Sequence, residues 1–174
     1  MNYYTSDLHV DHKNIIKICN RPFPSVEEME AELVKRWNAK VTPIDHVYVL
    51  GDIMFRPQKF NEFIGKLNGS IHYIAGNHDA DVWRKNKSNP TSHVYFHPPI
   101  HEIHDRIGSQ EYKVILCHYP IHEWNGMFNG AIHLHGHCHG NIGVSFKERA
   151  YDVGVDLWDF APISLEEIFT KTNQ

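Results

Sequence analysis

The segment AIHLHGHCHG, residues 131 to 140, sets His133, His135, His137 and His139 at every second position. Side chains of an extended strand alternate between its two faces, so four imidazoles in this spacing crowd one face while the segment stays extended. A neutral imidazole offers one lone pair to a transition metal, and ligands at i and i+2 can reach one ion or two adjacent ions. The same spacing suits an exposed polar strand or core histidines bonded to backbone. With fifteen histidines in 174 residues, the question is how they are organised.

Further polar groups of ligand type stand at the ends of apolar runs. TSDLH holds Asp7 and His9, VLGD holds Asp52, IAGNHD holds Asn77, His78 and Asp79, and ILCH holds His118. In layered α/β folds the strands are the buried scaffold, and the loops leaving their ends carry reactive groups to one rim. Glycines directly before Asp52, Asn77 and His137 let the backbone turn or come close to such a rim. Each piece alone recurs by chance. Their ordered appearance, each after a strand, does not fit an exposed-polar reading.

The elements that would position these groups are legible in outline. Residues 2–6 read as an opening strand, and 12–19 as a turn or two of helix stopped by RPFP. Ser25 with Glu28 forms a capping box for a helix whose stripe is Met29, Leu33, Val34 and Trp37 and which ends at Thr42-Pro43. HVYVL (46–50) and IHYIA (71–75) are buried-type strands. QKFNEFIGKL between them suits a helix closed by Asn68-Gly69. Residues 80–99 read as polar, proline-bearing loop with its helix content left open, and HEIHDRI and EYKVILC as a hairpin delivering His118. A strand leads to the histidine segment, YDVGVDLW follows as strand or extended loop, and Ser164 with Glu167 boxes a last helix.

The ordered set Asp7-Leu8-His9, Gly51-Asp52, Gly76-Asn77-His78-Asp79, His118 and Gly136-His137-Cys138-His139 resembles the DxH, GD, GNH(D/E), H and GHxH pattern of the calcineurin-like metallophosphoesterases. SDLHVDHKNI, CNRPF, HYPIHEW and GVDLWDFAPISLEE are similar to a compact prokaryotic and phage branch of that family. The motifs span residues 7 to 139 with no element missing. The resemblance implies an α/β four-layer sandwich, two packed, mainly mixed β-sheets flanked by helices, where periodicity alone says only α/β. It implies two divalent metal ions, one held by Asp7, His9, Asp52 and His139, the other by Asp52, Asn77, His118 and His137. Asp52 would bridge them, because a carboxylate has two oxygens to give and an imidazole one lone pair. Mixed nitrogen and oxygen donors without thiolate fit Mn²⁺, Fe, Zn²⁺ or Ni²⁺ better than Ca²⁺.

The implied reaction is hydrolysis of a phosphomonoester or phosphodiester, nucleotide-type esters included, with a metal-bridging hydroxide as nucleophile. Two divalent ions carry four positive charges, Asp7 and Asp52 cancel two, and the remainder can hold a hydroxide and an anionic ester. His78 matches the family histidine that assists the phosphate or protonates the leaving oxygen, with Asp79 as the natural partner to fix its tautomer. His135 reads as a rim or supporting residue and His133 as a packed strand residue. Cys117 and Cys138 read as packing thiols. Four further positions stay open. His12 is either at the site rim or a solvated helix start. Arg21 either clamps substrate phosphate or makes an ordinary ion pair, and Trp124, with Asn125, either lines a pocket or packs in the core. His93, His97, His101 and His104 are spaced irregularly, as on loop and hairpin surfaces.

Composition sets bounds. The length and the 41% hydrophobic content suit a single domain, residues 1–174, with a sizeable core. No apolar run reaches membrane-spanning length, the start lacks a secretion signal, and three cysteines without a CxxC pair agree with a reducing compartment, so a cytoplasmic setting is expected. A net charge of -4 without a basic block disfavours strong nonspecific duplex binding. The short chain leaves little room for a cap, which points to a small or accessible phosphoester. A nuclease acting on DNA or RNA ends is one competing reading; a non-catalytic metal-binding scaffold is the other. The absence of an HxE with a downstream PCxxC disfavours a zinc deaminase.

Overall fold

Strands β1 (Asn2–Thr5), β2 (His46–Leu50), β3 (Ser70–Ile74) and β4 (Val94–Phe96) form one sheet in that order, parallel throughout. The computed structural model describes residues 1–87, 93–141 and 149–172. A parallel sheet is buried on both faces, and the alternation within each strand divides its residues between two cores. Val47, Val49, Ile71 and Tyr73 face one core, shared with helices α1 (Lys13–Ile18), α2 (Val26–Lys40), α3 (Phe60–Ile64) and α4 (Ala80–Asn86). Tyr4, Tyr48, Leu50 and Ile74 face the other, against Val114, Leu116, Ile132 and Leu134 of a second sheet.

That second sheet runs β5 (Ile100–Ile107), β6 (Gln110–Cys117), β7 (Ile132–His135), β8 (Ala150–Asp152). The β5–β6 hairpin turns at Gly108 and is antiparallel, while β6–β7 and β7–β8 are parallel. The molecule is therefore α/β with two four-stranded sheets flanked by helices. The expectation of two mainly mixed sheets needs correcting in one respect. The first is wholly parallel, because every link between its strands is a crossover; the tight strand reversal at 107–110 belongs to the second sheet. The outer layers are also unequal. The far side of the second sheet is covered by Ile121, Trp124 and Met127, and α5 (Leu165–Thr172) sets Leu165 and Ile168 into the core between the sheets.

Local signals act as their chemistry dictates. Ser25 Oγ accepts from Glu28 N at 3.1 Å, and Met29, Leu33 and Trp37 form the buried stripe of α2. Ser164 and Glu167 cap α5 reciprocally, Ser164 N donating to Glu167 Oε2 at 2.8 Å and Glu167 N to Ser164 Oγ at 3.3 Å. The stretch read as loop over 80–99 contains α4 and β4; residues 88–92 of it lie outside the described residues.

Two histidines read as surface groups, His97 and His101, join a half-buried row that ends at the exposed His46. His46 Nδ1 meets His72 Nε2 at 2.9 Å, His72 Nδ1 meets His97 Nε2 at 2.8 Å, and the His97 and His101 rings stack at 4.0 Å. Tyr48 and Tyr95 stack on His72 from the neighbouring strands. Burial first, then the neighbouring imidazoles, lower the pKa of His72 to about 4. In the unfolded chain His72 takes its proton near 6.5, so stability from its neutral ring is intact above that pH and drains away as pH falls towards 4. Wild type should thus lose stability relative to His72→Phe between pH 7 and pH 4, read from urea midpoints. A constant difference between the two midpoints would contradict this linkage.

Candidate metal centre

Five residues singled out as ligands share a rare backbone state. Asp7, His9, Asp52, His137 and His139 have φ of 58°, 50°, 53°, 71° and 48°. Left-handed backbone is costly for non-glycine residues, about 1–3 kcal/mol each, and persists only where the surroundings over-determine it. Here the surroundings are a zipper between the loops leaving β1 and β2. Asp7 N donates to Gly51 O, His9 N to Asp52 O, Val10 N to Ile53 O and Phe55 N to Val10 O, all within 2.9–3.0 Å. From the second sheet, His137 N donates to Asp7 Oδ2 at 2.8 Å and Gly136 N to His118 O at 3.0 Å. The C-terminal ends of both sheets therefore meet at one rim. Close approach there excludes side chains: a Cβ on Gly136 would overlap Ser6 Oγ and Asp7 Oδ2, and one on Gly76 would overlap Asp52 Oδ1.

The side chains converge. His9 Nε2 lies 3.8 Å from Asp7 Oδ1 and 3.7 Å from Asp52 Oδ2, and His139 Nε2 lies 3.9 Å from Asp7 Oδ1. On the other side His118 Nε2 is 3.7 Å from Asp52 Oδ2, and Asn77 Oδ1 is 2.9 Å from both His118 Nε2 and His137 Nδ1. Separations of 3.7–3.9 Å are too long for hydrogen bonds. They are close to the roughly 3.4 Å between two donors tetrahedrally bonded to one ion at about 2.1 Å. Asp7, His9 and His139 form one group that could hold a metal ion, and Asp7, Asp52 and His118 another. Asp52 presents itself differently from expectation. Its Oδ1 accepts from His78 N at 2.9 Å, so the single oxygen Oδ2, not one oxygen per ion, faces both imidazole sets.

Ring tautomers are set from behind. His118 Nδ1 donates to Leu50 O at 2.8 Å and His139 Nδ1 to Asp156 Oδ2 at 2.7 Å, leaving each Nε2 lone pair aimed inward. Burial pushes the Asp7 carboxyl up to about 6 against the pull of His139 and His118, and burial with nearby cationic groups lowers His9 to about 2. For His139 burial works against the charged form, but the Asp156 hydrogen bond and the charges of Asp7 and Asp156 raise its pKa. Asp7 Oδ1 and His9 Nε2 are buried without a hydrogen-bond partner in the protein. Buried carboxylates facing imidazole nitrogens, with Asp7 Oδ1 and His9 Nε2 orphaned between them, fit a divalent cation.

Arg21 is corrected. Its guanidinium is buried and makes no substrate clamp, because every direction is taken: Nε and Nη2 donate to Asp156 at 2.7 and 2.9 Å, Nη2 also to Asp7 O and Nη1 to Leu8 O. One guanidinium thus fixes the backbone of Asp7 and, through Asp156, the ring of His139. Asp79 is corrected as well. It is fully buried and takes the amide protons of Asp52 and Gly76 at 2.5 and 2.8 Å, so it braces the β2 and β3 loops and does not orient His78. His78 is 48% exposed, with Nε2 4.0 Å from Asp52 Oδ2. His12 stands at the rim, its ring 5.5 Å from that of His9.

His133 Nδ1 donates to Ile115 O while its Nε2 accepts from Ile121 N, His135 bonds Gly136 O, and Trp124 packs in the core with Nε1 on Ala131 O. Asn125 turns to Glu102. Cys19 lies beside His139 and Asp156; burial pushes its thiol up to about 11, as for Cys138, so both stay neutral thiols. Sequence reasoning missed Asp156 and also Asp152, which accepts from Gly140 N and Gly154 N and ties the histidine loop to β8. The only signal for Asp156 was its place in GVDLWDF. A cavity of about 930 Å³ beside α5 shares Asp156 with the cluster but none of its histidines.

Fold and site together define a two-sheet α/β protein with Asp/His clusters able to hold metal ions. No family model matches the chain. It is 36% identical over 174 residues to the uncharacterized protein MJ1445 of Methanocaldococcus jannaschii, covering 95% of this chain and 88% of that one, and it belongs to the same family. The gene 66 protein of Mycobacterium phage L5 is 29% identical over 98% of this chain and 93% of its own length. A crystal structure of a protein of unknown function from Aquifex aeolicus, AQ665, shares the fold with a TM-score of 0.72 at 23% identity over 98% of both chains. No helix among the described residues is long and apolar enough to cross a membrane.

Asp156→Asn should weaken Mn²⁺ binding by about 10–100-fold, the usual cost of losing a partner that orients a ligand. It should also lower stability towards the roughly 3–5 kcal/mol of a broken buried ion pair, since Arg21 keeps its charge. Calorimetric metal titration and urea unfolding read the two effects; wild-type metal affinity in this variant would refute the orienting role.

Proposed function

We propose that this chain is a dinuclear metal-dependent phosphoesterase of the calcineurin-like type, with the four-layer fold of that family. The observation that carries the reading is Asp52 Oδ2, which stands 3.7 Å from both His9 Nε2 and His118 Nε2 and so lies between two imidazole-bearing sets. Asp7, His9 and His139 would hold one ion, Asn77, His118 and His137 the other, and Asp52 both. Bound there, two divalent ions supply an activated water and neutralise charge on the phosphoryl oxygens.

The chain's own groups do the rest. The buried Asp7 and Asp52 and the left-handed loops keep the donors in place before substrate arrives. His78 is pinned through its backbone to Asp52 Oδ1 while its ring reaches solvent, where it can bond a phosphate oxygen or give a proton to the leaving oxygen. Asn77 holds its Oδ1 between His118 and His137. The ligand set lacks a thiolate, which favours Mn²⁺, Fe, Zn²⁺ or Ni²⁺.

Elemental analysis and hydrolysis of bis(p-nitrophenyl) phosphate test this. Asp52→Asn should lose metal and cut turnover by more than the roughly 100-fold cost of losing an orienting partner. His78→Ala should keep its metal while losing about 10²–10⁴ in rate. Full turnover in Asp52→Asn overturns the mechanism; a His78→Ala variant as fast as wild type removes the acid role alone.

A further inference from the structure

We propose that Phe55, stacked on His12, is a nucleobase platform and that the esters cleaved here are nucleotidyl esters, an inference resting on the phosphoesterase reading above. Phe55 is 54% exposed, although a chain that buries its other phenylalanines in this region, Phe60 and Phe63, has the means to hide it. Its backbone is not free: Phe55 N donates to Val10 O at 2.9 Å and Met54 pairs with Val10, so the exposed ring is held in place by the zipper that shapes the metal centre. One face lies on His12, with ring centroids 4.7 Å apart and planes 10° from parallel. His12 in turn sits 5.5 Å from the His9 ring and 6.4 Å from the His78 ring. The stack therefore leads outward from the Asp7–His9–His139 side. On the opposite side Tyr119, 45% exposed, lies 5.0 Å from His118 and 4.9 Å from His137. The centre is flanked by an aromatic ring at each edge.

Charge beside the platform points the same way. Arg56 and Lys59 approach one carboxylate, Asp11, at 3.2 and 3.4 Å. Two cations against one anion leave a positive excess of one at the rim of a chain whose net charge is -4. A planar base on Phe55 with a neighbouring phosphate on Arg56 and Lys59 matches a nucleotide chain end. An alkyl phosphate can meet the cations but has no ring to lay on Phe55. Aromatic stacking of one base commonly contributes tenfold or more in affinity.

Calorimetry on the full chain loaded with Mn²⁺ tests this with thymidine 5′-monophosphate and methyl phosphate as probes, alongside hydrolysis of bis(p-nitrophenyl) phosphate. Wild type should bind the nucleotide about tenfold more tightly than methyl phosphate. Phe55→Ala should bring the two affinities within about twofold, and Phe55→Trp should keep the preference. Equal affinities in wild type, or a preference surviving Phe55→Ala, overturn the platform even where the ester is hydrolysed. A base preference without hydrolysis supports the platform and counts against the catalytic reading instead. Failure to bind either probe sinks both.

Discussion

Two buried carboxylates, Asp7 and Asp52, stand at the ends of adjacent parallel strands, with ligand oxygens within 4.8 Å of each other and of His118. Left alone in a protein interior, such a pair repels, and burial already pushes Asp7 towards its neutral form. The surrounding architecture answers that repulsion only in part. Asp7 Oδ2 takes the amide of His137, Asp52 Oδ1 takes the amide of His78, and the remaining oxygens face imidazole nitrogens. Amide dipoles offset some of the cost. A positive charge placed among the inward-facing atoms would offset the rest.

The same constraint explains the strained loops. For ligands from both sheets to face one point, the chain must turn immediately after each strand, and five non-glycine residues adopt positive φ to do so. The β1–β2 zipper, the Asp79 carboxylate under the Asp52 loop, and Arg21 bonded to the carbonyls of Asp7 and Leu8 hold those turns. Arg21 and Asp156 form a chain from the backbone of one ligand to the ring of another, so movement at Asp7 is felt at His139. A guanidinium suits that position because its planar fork serves two carbonyls and a carboxylate together, which an ammonium cannot.

Much of this was readable beforehand, for a physical reason. Ligand types at strand ends are a local signal, and strand periodicity places them at a rim whatever the exact register. The helix caps at Ser25 and Ser164 are likewise short-range hydrogen-bond patterns. What escaped depends on contacts distant in the chain. Arg21 and Asp156 are 135 residues apart, and nothing near either reveals the pairing. Asp79, adjacent to His78, invited a local assignment, but its oxygens turn back to Asp52 and Gly76. The histidine row is similar: His46 and His72 lie on the neighbouring parallel strands β2 and β3, His97 just after β4 and His101 on β5 of the second sheet, so the row forms only once both sheets are in place. The α4 helix lay in a stretch whose prolines and polar residues spoke for loop, and burial of Val82 beneath it prevailed over composition.

Burial grades the centre from floor to rim. Asp7, His9, Asp52 and His118 are buried and His139 half-buried, whereas Asn77 and His137 lie exposed at the rim with His78, Phe55 and Tyr119. Groups that hold a cation benefit from low dielectric and fixed geometry, because reorganisation would weaken every bond at once. Groups that meet a substrate must be reachable, and a side chain anchored by its backbone can be reachable without being loose. His78 and Phe55 both meet that condition, one through its amide on Asp52 Oδ1 and the other through its amide on Val10 O. One anchor ends on the carboxylate of Asp52 and the other on the loop that carries His9 and Val10, so a substrate at the proposed site would meet side chains held by the same loops that carry the donors.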